Sequence, residues 1–186
     1  MVPLASLWVP ILVSAALVFL ASALLHMVLT YHRSDFGSIQ GEDRVMALFR
    51  EVGVGAGEYM MPHAASPAET KDPAFIAKRE KGPVAVITVF KGGASMGTSL
   101  AQWFVYCLVV SVFAAYLASR AVAPGAEYLE VFRFAGTTAF AGYALALWQN
   151  SIWYKRPWST TIKQNFDGLV YALLTAGVFG WLWPAA

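Results

Sequence analysis

Four long stretches without a charged side chain limit what this chain can fold into: residues 1–32, 92–119, 134–154 and 168–186. Each holds about 18 or more mostly apolar residues, enough for a helix to cross a hydrocarbon core about 30 Å thick. Lipid offers no partner to an unpaired backbone group, so an open chain crosses it only as helix. The runs predict spans near 7–31, 99–120, 132–154 and 167–184. Composition agrees: of 186 residues, 58% are hydrophobic and 13% charged, where a soluble domain carries about 25% charged residues. The expected fold class is therefore all-α, a polytopic membrane protein whose single domain, 1–186, is a four-transmembrane-helix bundle. Segment 32–98 is inserted between its first and second spans.

The first run contains Ala21-Ser22-Ala23, a small-residue pattern like a signal-peptide cleavage site. It lacks a Lys/Arg n-region, and it stays apolar to Thr30, beyond the roughly 7–15 residues of a cleavable h-region. It reads as a retained anchor.

Basic residues orient the spans. With four crossings, both termini and the 121–131 loop share one side. Of the 13 Lys and Arg, only Arg120 and Arg133 flank that side. The rest lie in 32–98 and in the short 155–166 loop, which places those segments in the cytoplasm and both termini outside. Trp8, Tyr116, Tyr128, Trp181 and Trp183 then form an outer aromatic belt. Tyr31, Trp103, Tyr106, Trp148, Trp153 and Trp158 form an inner one.

Small residues recur at intervals of four: Cys107, Ser111, Ala115 and Ser119; Thr138, Gly142 and Ala146; Gly168, Ala172, Ala176 and Gly180. That spacing puts each set on one helix face. Small faces let helix backbones approach closely in lipid, where no hydrophobic force drives association. The stripes predict a compact bundle and leave open whether their contacts lie within one chain or between copies.

In the cytoplasmic insert, Val45, Leu48, Phe49 and Val52 mark an amphipathic helix over 41–52. It carries charges of both signs, so it is not a polybasic lipid binder. Its apolar face suits the inner end of the bundle or a partner. Residues 53–71 read as a loop. Asp72-Pro73 is an N-cap followed by a first-turn proline and opens a short helix over 73–81. Residues 84–90 are β-branched and suit a strand or an interfacial stretch, with Gly92-Gly93 breaking the chain before the second span.

Function is less constrained. A net charge of +2 is too balanced for a nucleic-acid binder. The one cysteine, Cys107, lies in an apolar run and behaves as a small hydrophobe. The common nucleotide, metalloprotease and hydrolase fingerprints do not occur, so no catalytic residue is expected. Threading the spans antiparallel brings His26, Gln102, Gln149, Asn150 and Asp167 to a similar depth near the cytoplasmic end. Polar groups at that depth face a bundle interior or water. The set is the candidate ligand or proton site, and equally a group of headgroup-level helix caps. The turn Trp153, Tyr154, Lys155, Arg156 and Trp158 is the candidate contact for lipid headgroups or a partner. His26-Met27 and Met60-Met61-Pro62-His63 carry donors that suit Cu(I), but nothing brings the two together. The expectation is no metal and no cofactor.

The second half resembles uncharacterised four-pass bacterial inner-membrane proteins. The resemblance runs over about 98–184, through Trp103-Phe104 to Ala118, Val131-Phe132-Arg133-Phe134, Thr137-Thr138-Ala139-Phe140 and Ser151-Ile152-Trp153-Tyr154-Lys155-Arg156-Pro157-Trp158-Ser159-Thr160-Thr161. It continues in Asn165, Asp167-Gly168-Leu169 and Phe179-Gly180-Trp181. It implies a bacterial inner membrane and a four-span bundle, with no functional residue to carry over. The functional expectation is a non-enzymatic membrane protein, either a self-associating bundle or an accessory subunit of a larger complex. The alternative is a small-solute or proton transporter acting as a homo-oligomer. A membrane enzyme acting on lipid or quinone is a third and weaker reading.

Overall fold

The computed structural model describes residues 1–92 and 95–186. The chain divides into two compact units, one formed by Met1–Gly37 with Met96–Ala186 and the other by Ser38–Ser95. The second glycine of the expected Gly92-Gly93 break lies outside the described residues.

The first unit is helical. Helix α1 (Trp8–Ala23) is preceded by a tighter 3-10 turn and runs on into a wider π turn at Leu24–Val28. The whole stretch Leu4–Val28 is 25 residues long, and α4 (Met96–Ala121) is 26 residues long; both are long and apolar enough to cross a membrane. Helix α5 covers Tyr128–Tyr143, α6 Trp148–Tyr154 and α7 Trp158–Trp181. Helix α1 packs on α4, α4 on α5, α5 on α7 and α7 back on α1, which closes a ring of helices.

Small residues set the approach of these helices, and the contacts lie within one chain. On α4, Cys107, Ser111, Ala115 and Ser119 are all fully buried. Ser14 of α1 donates to the Ser111 hydroxyl at 3.0 Å, joining two buried hydroxyls across that seam. On α7, Ala172 and Ala176 are buried. A Cβ added to Gly136 of α5 would lie 2.9 Å from the Ala176 methyl, so the α5–α7 seam has no room for another carbon. The inward stripe of α5 is Val131, Ala135, Ala139 and Tyr143. It is not the Thr138, Gly142 and Ala146 set expected from spacing. Gly142 does meet Val110 closely, with 3.1 Å to an added Cβ, but Ala146 is exposed.

The segment expected as one span over 132–154 is two helices. Helix α5 ends at Tyr143, Ala144 departs from helical geometry, and a short turn at Leu145–Leu147 leads into α6. Gly168 of α7 backs onto this break, where an added Cβ would lie 2.9 Å from the Ala144 methyl. The last helix starts well before the expected 167. Its 24 residues make a rod about 36 Å long at the usual rise per residue, with Lys163 and Asp167 in its first half.

The second unit corrects the all-α expectation. Strand β1 (Gly57–Met61), inside the expected loop 53–71, pairs antiparallel with β2 (Ala85–Val89), with Gly57 opposite Val89 and Met61 opposite Ala85. Helix α2 spans Glu42–Glu51 and helix α3 spans Pro73–Lys81. The Asp72 carboxylate accepts the Ala74 N–H at 2.7 Å and caps α3 as its sequence predicts. Among the described residues of this unit, no large apolar side chain is buried. Leu48 is 52% exposed, Val52 63% and Phe90 75%.

Candidate functional site

The site is built where the first helix stops. The π turn ends as Leu29 N–H bonds back to the Leu24 carbonyl at 3.1 Å, and Leu29 itself is extended. Such wide turns insert one residue into a helix and redirect the side chains beside it. Here the turn carries His26. A 3-10 turn at Tyr31–Asp35 follows, and Lys163 of α7 holds it. The Lys163 ammonium donates to the Tyr31 carbonyl at 2.7 Å, to the Ser34 hydroxyl at 2.7 Å and to Asp35 Oδ1 at 2.9 Å. Lys163 and Asp167 stand four apart on α7 and therefore on one face.

Asp167 is the centre. Its side chain is only 4% exposed. Taking a carboxylate out of water is costly unless it is paired and hydrogen-bonded. Tyr31 Oη donates to Oδ1. His32 Nε2 lies 2.8 Å from Oδ2, and His26 Nε2 lies 3.9 Å from the same oxygen. The other ring nitrogen of His32, Nδ1, lies 2.6 Å from Asp35 Oδ2. The Nδ1 of His26 lies 3.0 Å from the Ser22 carbonyl. A carbonyl only accepts, so this Nδ1 carries a hydrogen, and in the neutral ring Nε2 presents its lone pair. The two imidazoles stack with centroids 4.3 Å apart and planes within 8°.

Asp35 is also held. Burial pushes its carboxyl pKa up, but hydrogen bonds from His32 and Lys163 and their positive charge outweigh that and leave it below the ordinary carboxylate value. The Trp103 indole of α4 donates to the Ser22 hydroxyl at 2.7 Å, tying the residue behind His26 to the neighbouring helix. Trp103 also meets Tyr171, 5.9 Å between centroids, and Tyr171 meets Tyr143 at 5.4 Å. The hydroxyls of Tyr143 and Tyr171 and the Gln164 side-chain oxygen are buried and have no hydrogen-bond partner among the described residues.

Of the polar layer read from the sequence, His26 and Asp167 come together. Gln102 on α4 and Gln149 on α6 are exposed, and Asn150 is half-buried. Among the described residues, none of these three is hydrogen-bonded to the cluster through its side chain. In the aromatic and basic turn, Trp153 is 71% exposed and Tyr154, Lys155 and Trp158 are exposed, while Arg156 is half-buried. Lys155 takes a left-handed backbone that ends α6, with φ 58°.

Sequence reasoning passed over Tyr31, His32, Asp35 and Lys163. Tyr31 entered only as part of the inner aromatic belt and Lys163 only as part of a basic loop. The available signal was the pairing of Lys163 with Asp167 at helical spacing, together with two histidines at the end of one apolar run. His26, His32 and Asp167 each offer a metal-ligand atom, and these atoms lie within 4.8 Å of one another. His32 is the donor that spacing did not reveal. Comparison with protein families, with curated proteins and with solved structures finds no match.

Proposed function

We propose that the chain is a non-enzymatic, four-pass protein of the bacterial inner membrane that works as a subunit of an assembly, with copies of itself or within a larger membrane complex. The observation that carries this reading is the unit Ser38–Ser95. Many of its large apolar side chains, Met46, Leu48, Val52 and Phe90 among them, are exposed, while Val45, Phe49 and Ile87 are half-buried. Exposed apolar groups in such number mark a contact surface more often than a free one. The polar groups of the bundle support the same reading. Ser14 with Ser111, Ser22 with Trp103, and Asp167 with Tyr31 and His32 bond helix to helix or turn to helix. Polar pairs of this kind hold bundles together.

The remaining two crossings would be α7 and the α5–α6 segment. In that arrangement Lys163 and Asp167 sit near the cytoplasmic boundary, paired with Asp35 and with His32 and Tyr31. The test is native mass spectrometry on protein gently extracted from its own membrane, with a photo-crosslinking residue at Leu48. A homo-oligomer or a defined hetero-complex, crosslinked through Leu48, is the expected result. A monomer with no Leu48 crosslink rejects the proposal.

One observation favours transport as a second reading. Two tyrosine hydroxyls without a hydrogen-bond partner among the described residues, Tyr171 and Tyr143, lie buried within the helices, Tyr171 one turn from Asp167. A proton route would use such groups. Proteoliposomes loaded with a pH-sensitive dye test it: a proton flux lost in Asp167→Asn supports the route, and no flux above empty vesicles removes it.

A further inference from the structure

We infer that His26, His32 and Asp167 form a binding site for a divalent first-row transition metal of the zinc class. Two imidazole nitrogens and a carboxylate oxygen suit such borderline ions better than Mg²⁺ or Ca²⁺, which prefer all-oxygen sites.

The stronger argument is how each donor is aimed. The carbonyl of Ser22 takes the Nδ1 hydrogen of His26. Asp35 takes the Nδ1 hydrogen of His32. Tyr31 occupies Oδ1 of Asp167. The inward donor atoms are His26 Nε2, His32 Nε2 and Asp167 Oδ2, all within 4.8 Å of one another, and a cation bound there replaces the hydrogen that now joins His32 to Asp167. Metal-binding histidines are held in this way, with the distal nitrogen bonded to a carboxylate or a backbone carbonyl that fixes the tautomer and the ring.

Distances agree. Ligand bonds of about 2.0–2.1 Å at tetrahedral angles place donor atoms roughly 3.3 Å apart. The spacings to Asp167 Oδ2, 2.8 Å from His32 and 3.9 Å from His26, bracket that value. His32 has to draw back and His26 to close in, each by roughly half an ångström, and the His26 ring has to swing out of its stack on His32, because a metal must lie in the plane of both rings. His26 is the donor free to move. Its side chain is 48% exposed, where that of His32 is 11% exposed. The same exposure leaves a water-facing position for a fourth ligand. Binding has a proton cost, because His32 Nε2 now lies 2.8 Å from Asp167 Oδ2 and must give up its hydrogen to a cation placed there.

The test uses the full chain in detergent, stripped with a chelator and carrying no histidine tag. It is titrated with Co²⁺, whose visible absorption reports low-symmetry nitrogen and oxygen coordination. The expected result is one saturable Co²⁺ per chain, displaced by Zn²⁺. His26→Gln should lose the band, and it is the decisive variant because its ring hydrogen-bonds only to a backbone carbonyl, so the fold survives by circular dichroism. Asp35→Asn should weaken binding about 10–100-fold by releasing the His32 ring. His63→Gln, a change outside the cluster, should leave the titration as it is. Absence of a saturable band in the unaltered chain overturns the site. So does an undiminished band in folded His26→Gln.

Discussion

At the scale of single residues, Lys163 makes the most hydrogen bonds between α7 and the turn that carries the cluster. Its three hydrogen bonds reach one carbonyl, one hydroxyl and one carboxylate of the 31–35 turn. That turn carries His32 and Tyr31 to Asp167. Hydrogen bonds to charged groups contribute about 1.5–3 kcal/mol each at most, and they are not additive. Lys163→Met keeps the length of the side chain and removes the donor. It should destabilise the chain by about 2–3 kcal/mol in chaotrope unfolding from detergent. Stability equal to the parent protein would mean that the turn is held by something else. Tyr31→Phe tests the centre itself, because it removes the hydrogen bond to Oδ1 of a carboxylate that is nearly inaccessible. A loss of about 1–3 kcal/mol is expected from the group left unpaired, measured by thermal unfolding, and an unchanged midpoint would place water at Oδ1 instead.

At the scale of elements, the α5–α7 seam shows how far periodicity reaches. Spacing of four picked out Gly168, Ala172, Ala176 and Gly180 on α7, and these residues do line a close contact. On α5 the same rule selected the wrong register, Thr138, Gly142 and Ala146. Larger neighbours such as Val131 and Tyr143 turn inward with Ala135 and Ala139. Side-chain size alone does not define an inward face when alanine is common on every face. The two registers make opposite predictions. Ala176→Leu and Ala139→Leu should each overpack a fully buried position and cost about 1–3 kcal/mol. Ala146→Leu, at an exposed position, should leave thermal stability in detergent within about 0.5 kcal/mol of the parent. Equal effects at all three positions would contradict the seam described above.

Gln102 illustrates the same limit for the polar layer. Counting residues from the apolar boundary gives a height along a span but no azimuth. Gln102 stands nine residues before the buried Ser111, roughly 180° away around a helix that turns about 100° per residue. It therefore faces away from the bundle. Gln149 and Asn150 were displaced for another reason. The break at Ala144 starts a new helix, so their position no longer follows from the height of α5.

At the scale of the whole molecule, topology is the property that sequence predicts most directly and that a reporter reads most directly. A fusion after Ala186 should be active only as a non-cytoplasmic reporter, and one placed within 53–71 only as a cytoplasmic one. A cytoplasmic signal from the C-terminal fusion would reject the four-pass arrangement with both termini outside. Among the described residues, two helices are long and apolar enough to cross a membrane. Helix α7 is long enough, but Lys163 and Asp167 lower its apolarity. Those two charges belong to the cluster.

What the sequence determined by itself follows from local chemistry. Uncharged run length indicates membrane-spanning potential, small residues four apart allow close approach, and Asp72-Pro73 opens a helix. Each depends on residues near one another in the chain. The histidine–aspartate cluster depends on residues far apart. His32 meets Asp167 across 135 positions, where Lys163, Asp167 and Thr160 of α7 all bond to the 31–35 turn. Only the tertiary structure could decide that, because the charged groups of that turn are held by partners on another helix, and no spacing within Tyr31–Asp35 encodes them.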